Sequence, residues 1–146
     1  MSQMIEVKTA ELEGAALDWA VAKAEGLPVC VMSVADQMAQ FQPGDFTDYE
    51  REQLWQIKKP KVRIAEEVSH HSKPCPSYST DWSQGGLLID EHRVLFGQDF
   101  GIFVATIPGL APTHAAGKTH LIASCRAIVA AKLGDTVQVP AELVTP

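Results

Sequence analysis

Residues 119–140 read THLIASCRAIVAAKLGDTVQVP. Leu121, Ile122, Cys125, Ile128, Val129 and Leu133 recur at the three- and four-residue spacing that places side chains on one face of a helix. Lys132 falls in the last turn, where a cation suits the negative end of the helix dipole. Gly134 follows as the residue that lets a helix reverse. Beyond it the period changes to two: TVQV alternates as a short strand does, and Pro140, which has no N–H to donate to a ladder, stops it. A strong helix feeding a short strand predicts a domain in which helices pack against a small antiparallel sheet, an α+β fold.

Working outward, Ile5–Val7 predicts a short strand. Thr9 offers a hydroxyl cap to a helix that closes at Gly26. Leu12, Ala15, Ala16, Trp19 and Ala22 form its apolar stripe, anchored by Trp19, with Asp18 and Glu25 facing elsewhere. A strand is expected from Val29 to Ser33. Residues 42–46 (QPGDF) read as a turn, and Thr47 with Glu50 is a capping-box signature for a third, shorter helix through Ile57. That helix has only Leu54, Trp55 and Ile57 to bury, so loose packing is expected. Residues 69–76 read as a loop. From Leu87 onward LLI, RVLF and GIFVATI predict an antiparallel meander, with 108–119 (PGLAPTHAAGKT) an irregular connection.

Composition narrows the function classes. The chain has 146 residues, 46% hydrophobic and 21% charged, which fits a single domain spanning 1–146 with a real core. A net charge of −6 argues against a dedicated nucleic-acid binder, because phosphate contacts need a positive surface. Lys58, Lys59, Lys61 and Arg63 are the densest basic cluster and read as a solvated face. Three cysteines, far apart and odd in number, do not make a disulfide framework. No leader pattern and no bilayer-length apolar run is visible, so a soluble cytoplasmic protein without a cofactor is expected.

The densest chemistry lies in YSTDWSQGG, residues 78–86. As a turn, Ser79, Thr80 and Asp81 bond to backbone amides, Gly85 and Gly86 permit positive φ or a close approach, and Trp82 plugs the core. As a ligand-binding loop that includes Ser79 and Thr80, Trp82 stacks, Asp81 and Gln84 supply hydrogen bonds, and Gly85 and Gly86 admit the ligand to the backbone. The turn is favoured, since these residue types serve turns more often. The alternative, a small hydrolase or transferase, draws on Asp81, His92 and a nearby hydroxyl or thiol, but no Gly-x-Ser-x-Gly elbow is present.

Other fragments are weaker. Gly117-Lys118-Thr119 at a helix start suggests a phosphate loop, yet the earlier glycine that such a loop needs is Pro112 here. Five histidines (70, 71, 92, 114 and 120) have no structural-zinc spacing and read as surface residues, so no metal is assigned. Cys125 faces the core as an inert thiol, which leaves loop Cys75 as the more reactive one.

Three blocks carry a family resemblance: ELEGAALDWAVAKAEG (11–26), YSTDWSQGGLLIDE (78–91) and LIASCRAIVAAKLGDTVQVPAEL (121–143). In this order, with their Leu-Asp-Trp-Ala-Val-Ala, Ser-Thr-Asp-Trp and Lys-Leu-Gly-Asp cores, they resemble the NinX-like proteins of phages and prophages. The resemblance implies a small soluble bacterial or bacteriophage protein and supplies no activity, cofactor or catalytic residue. Relatives have a shorter segment between the first two blocks, which marks 27–77 as an elaboration containing a flexible loop. They also enter the last helix through a Gly-Pro-Thr-Pro-Leu-Ile-like stretch, where this chain has Gly117-Lys118-Thr119-His120-Leu121-Ile122.

Because the blocks hold both strong helices and the 78–86 bend, Trp19, Trp82 and the last helix are expected to share one core. Asp81 and Gln84 would then rim a shallow polar pocket. The function that follows is a non-enzymatic accessory protein binding a small ligand or a protein partner.

Overall fold

The computed structural model describes residues 3–39, 47–65 and 72–144. The predicted turn at 42–46 and the pair His70 and His71 lie outside them. The described residues form an α+β fold of five α-helices and three small antiparallel sheets. Strand β1 (Met4–Lys8) leads through a 3-10 turn to α1 (Gly14–Ala24). Then come β2 (Val29–Met32), α2 (Val34–Met38), α3 (Asp48–Gln56), β3 (Lys61–Ile64) and the two-residue β4 (Lys73–Pro74). The second half holds α4 (Trp82–Glu91), β5 (Leu95–Asp99), β6 (Ile102–Ile107), β7 (Thr113–Gly117), α5 (His120–Leu133) and β8 (Thr136–Pro140). Where one sheet packed on two main helices was expected, the strands divide into β1-β8, β2-β3-β4 and β5-β6-β7. No described helix is long and apolar enough to cross a membrane.

Helix α5 is the centre of the molecule. Its Cys125, Ile128 and Val129 enter a core with Leu17, Trp19, Ala20, Val21, Tyr78, Val137 and Val139, and its Leu121 is buried beside Gly85 of α4. On another side Ala123 and Ala127 pack with Val94 and Ala105 beneath the β5-β6-β7 sheet. A helix covered on two sides needs apolar residues around most of its circumference, and small ones where a sheet must come close. Gly117 shows how close: a Cβ there would stand 2.6 Å from the Ala123 amide nitrogen. Gly117-Lys118-Thr119 therefore serves the fold, with Thr119 Oγ1 accepting from the Ile122 amide as the α5 cap.

Several expectations fail for physical reasons. Thr9 does not cap α1. It is buried, its hydroxyl donates to the Gly134 carbonyl at 2.7 Å and its amide to Asp135 O at 2.8 Å, so it satisfies the C-terminal end of α5 instead. Helix α1 starts only at Gly14, and Ala15 is exposed, while Leu17, Ala20 and Val21 join the buried face. Asp18 and Glu25 do not face away either: each meets a partner from the second half of the chain.

The run LLI is helical, being the end of α4 rather than the first strand of a meander. The meander is β5-β6-β7, whose third strand comes from the Ala-rich stretch read as irregular. Its first turn is the two-residue Phe100-Gly101 loop, with both residues at positive φ (49° and 79°), the geometry that matches strand twist. Lys73–Pro74, expected in a loop, pairs with Arg63 and Ile64. The cap at Thr47 is as expected, and α3 buries no residue at all.

Candidate functional site

The 78–86 segment is half turn, half helix. Ser77 O accepts from the amides of Thr80 and Asp81, closing the turn. Asp81 then caps α4, its Oδ1 accepting from Ser83 N at 2.8 Å and Ser83 Oγ at 2.6 Å. Those two bonds hold the Asp81 carboxyl below its ordinary pKa. Gln84 reaches back, Oε1 accepting from Ser77 N at 2.5 Å. Beneath, Ser79 is buried and its amide donates to Asp18 Oδ1 at 2.8 Å. Thr80 is exposed. The Asp81 and Gln84 side chains thus accept hydrogen bonds within the turn and the first turn of α4.

Neither glycine has a positive φ, and only Gly85 acts by close approach. A Cβ on Gly85 would stand 2.0 Å from the Tyr78 carbonyl oxygen and 3.0 Å from Leu121 Cδ2, so only glycine lets α4 settle onto the turn and α5. On Gly86 it would meet Trp82 Cε3 at 3.4 Å, because the indole lies along the helix over this residue.

Trp82 does not plug the core. It is 58% exposed, whereas Trp19 is 4% exposed inside the main core, so the two do not share an interior. The indole instead joins a ring cluster. His120, at the start of α5, lies 6.1 Å from Trp82, 4.8 Å from Phe96 in an edge-on contact, and 4.0 Å from Phe103 at 33°. Phe96 and Phe103 come from β5 and β6, on the sheet face that α5 covers. Four elements, α4, β5, β6 and α5, therefore fix the ring cluster, and Trp82 and Phe96 remain open to solvent. No sequence periodicity pointed to His120, Phe96 or Phe103, since they meet only through tertiary structure.

A family model described as "Bacteriophage P22, NinX" matches residues 8–132. The chain belongs to the NinX family. No curated protein matches it. The match runs across 27–77 and takes in the whole Trp82–His120 corner. In this NinX-family chain the three blocks touch one another: Asp18 of the first accepts from Ser79 of the second, and Leu121 of the third lies against Gly85. The Asp-Trp pair at 18–19 thereby has two jobs, with Asp18 tying α1 to the turn and Trp19 filling the core.

The components of the hydrolase alternative lie apart in the NinX-family chain. Asp81 caps one end of the ten-residue α4 and His92 the other, roughly 15 Å away at 1.5 Å per residue. His92 Nε2 lies 2.6 Å from Glu25 Oε1, with both side chains largely covered, and is no surface histidine. Burial pushes the Cys75 thiol up to about 12, and the same holds for Cys125. Cys75 is thus not a reactive loop thiol. His114 bonds Thr106 Oγ1 at 2.8 Å.

Proposed function

We propose that this NinX-family protein is a phage- or prophage-derived accessory protein of the cytoplasm that binds a protein partner, without chemistry of its own. The contact is the aromatic corner of Trp82, Phe96 and His120. What carries the reading is a single observation: a largely exposed indole laid over Gly86 and flanked by a ring cluster from three other elements. Large aromatic side chains held in place before binding lose little entropy on association and dominate the energetics of protein interfaces. Of the residues singled out in the 78–86 segment, Trp82 makes the contact. Ser79, Thr80, Asp81, Gln84, Gly85 and Gly86 belong to the turn and helix that present it.

The test replaces Phe96 with the photoreactive p-benzoylphenylalanine and irradiates phage-infected cells that make the protein. One discrete adduct, at least tenfold reduced when Trp82→Ala is added, is the expected result. A chain that forms no adduct, or the same adducts with and without Trp82, contradicts the proposal. A small-ligand reading draws on a different place, a cleft of about 790 Å3 lined by Gly14, Ser33, Lys58, Lys59, Pro60 and Leu143. It falls within the size range of small-molecule sites. A metabolite that raises the melting temperature of wild type and of Trp82→Ala equally would favour it.

A further inference from the structure

At the opposite end of α4 from Trp82, the C-terminal ends of two helices come together. Helix α1 ends in the cap residue Glu25, and α4 ends in Glu91 with His92 as its cap. Their ligand atoms, one carboxylate oxygen from each glutamate and one imidazole nitrogen, all lie within 4.8 Å of one another. We propose that Glu25, Glu91 and His92 form a binding site for one divalent first-row transition cation, for which Zn2+ is the simplest probe.

Three features point to a cation here. The first is the position of the acids. A helix C-terminus carries roughly half a negative charge, so a carboxylate there is opposed by the dipole and a cation is favoured. Helix α4 nevertheless finishes on Asp90 and Glu91 with no basic residue in its last turn. The basic residue in the last turn of α1, Lys23, lies with its Nζ 5.0 Å from the Trp19 ring centroid. Among the described residues no lysine or arginine forms an ion pair with Glu25 or Glu91.

The second feature is the covering of the site. The His92 and Glu25 side chains are only 14% and 18% exposed, which limits screening, while Glu91 is exposed and leaves an entry path. The third is the donor set. One imidazole and two carboxylates match zinc and its neighbours better than calcium or magnesium, which take oxygen donors. With bonds of about 2.0–2.2 Å, tetrahedral ligand atoms stand roughly 3.3 Å apart, so His92 and Glu25 must separate slightly from their 2.6 Å contact. Three protein ligands leave a fourth position for water.

The measurement is calorimetric titration of the metal-free full-length chain with ZnCl2, alongside melting curves. Wild type is expected to bind one equivalent and to melt at a higher temperature with zinc. Glu91→Gln, an exposed change that leaves the Glu25–His92 contact in place, should weaken binding at least tenfold, and His92→Gln should abolish it. No saturable one-equivalent binding by wild type would overturn the proposal. So would wild-type affinity in Glu91→Gln, whatever His92→Gln does, because the ion would then sit on other donors.

Discussion

Adjacent glycines in α4 have opposite requirements. At Gly85 a methyl group would overlap the Tyr78 carbonyl, whereas at Gly86 it would make an ordinary contact with the Trp82 ring. Gly85→Ala should therefore lose about 3 kcal/mol or fail to fold, since neither a carbonyl nor a helix backbone can yield by an ångström. Gly86→Ala should be neutral or gain up to about 1 kcal/mol from helix propensity, and paired urea melts check both values. Much at this level was legible in the sequence. The close approach of a glycine and the bonding of Asp81 to backbone amides followed from residue chemistry alone, because such bonds are local in sequence. Trp82 was not legible as an exposed ring. Large apolar side chains default to the interior, and only the placement of Gly86 and His120 reveals this one as a surface feature.

Between elements, the bond from the Ser79 amide to Asp18 ties α1 to the turn that starts α4. Desolvation raises the Asp18 pKa and the Ser79 bonds oppose it without cancelling it. A raised folded-state pKa means that the native chain holds this proton more tightly than the unfolded one. The stability linked to it is complete below the unfolded value of about 3.9 and is lost as pH rises through the folded pKa. Asp18→Asn keeps an acceptor for Ser79 and has no charge to desolvate. It should melt above wild type at pH 7, with the gap closing as pH falls toward 4, and a series of melts over that range reads it out. Elements with strong local signals were read correctly: α5 from its periodicity, α3 from its Thr47 cap, β8 from alternation ended by Pro140. Those missed owe their form to neighbours. Helix α4 was hidden because its glycines carry no hydrophobic weight, and β7 because its Ala-rich sequence has little strand preference until β6 and α5 enclose it.

Taken whole, the molecule is organised around one doubly covered helix. The β1-β8 pair joins the two ends of the described chain, and α5 fills the space between the main core and the β5-β6-β7 sheet. The α+β class was readable from the change of period at Gly134. The division into three sheets was not, because strand partners are set by contacts far apart in sequence. This frame presents two exposed tryptophans of different kinds. Trp82 stands in a ring cluster on a packed helix, whereas Trp55, 79% exposed, belongs to α3, which buries nothing. Recognition by a held surface requires the first and not the second. Affinity purification from phage-infected cells with wild type, Trp82→Ala and Trp55→Ala as baits tests this most directly. The account predicts a partner retained by wild type and Trp55→Ala and lost by Trp82→Ala, with all three proteins melting within a few degrees of one another. A partner lost by Trp55→Ala and kept by Trp82→Ala, or kept by both, would contradict it.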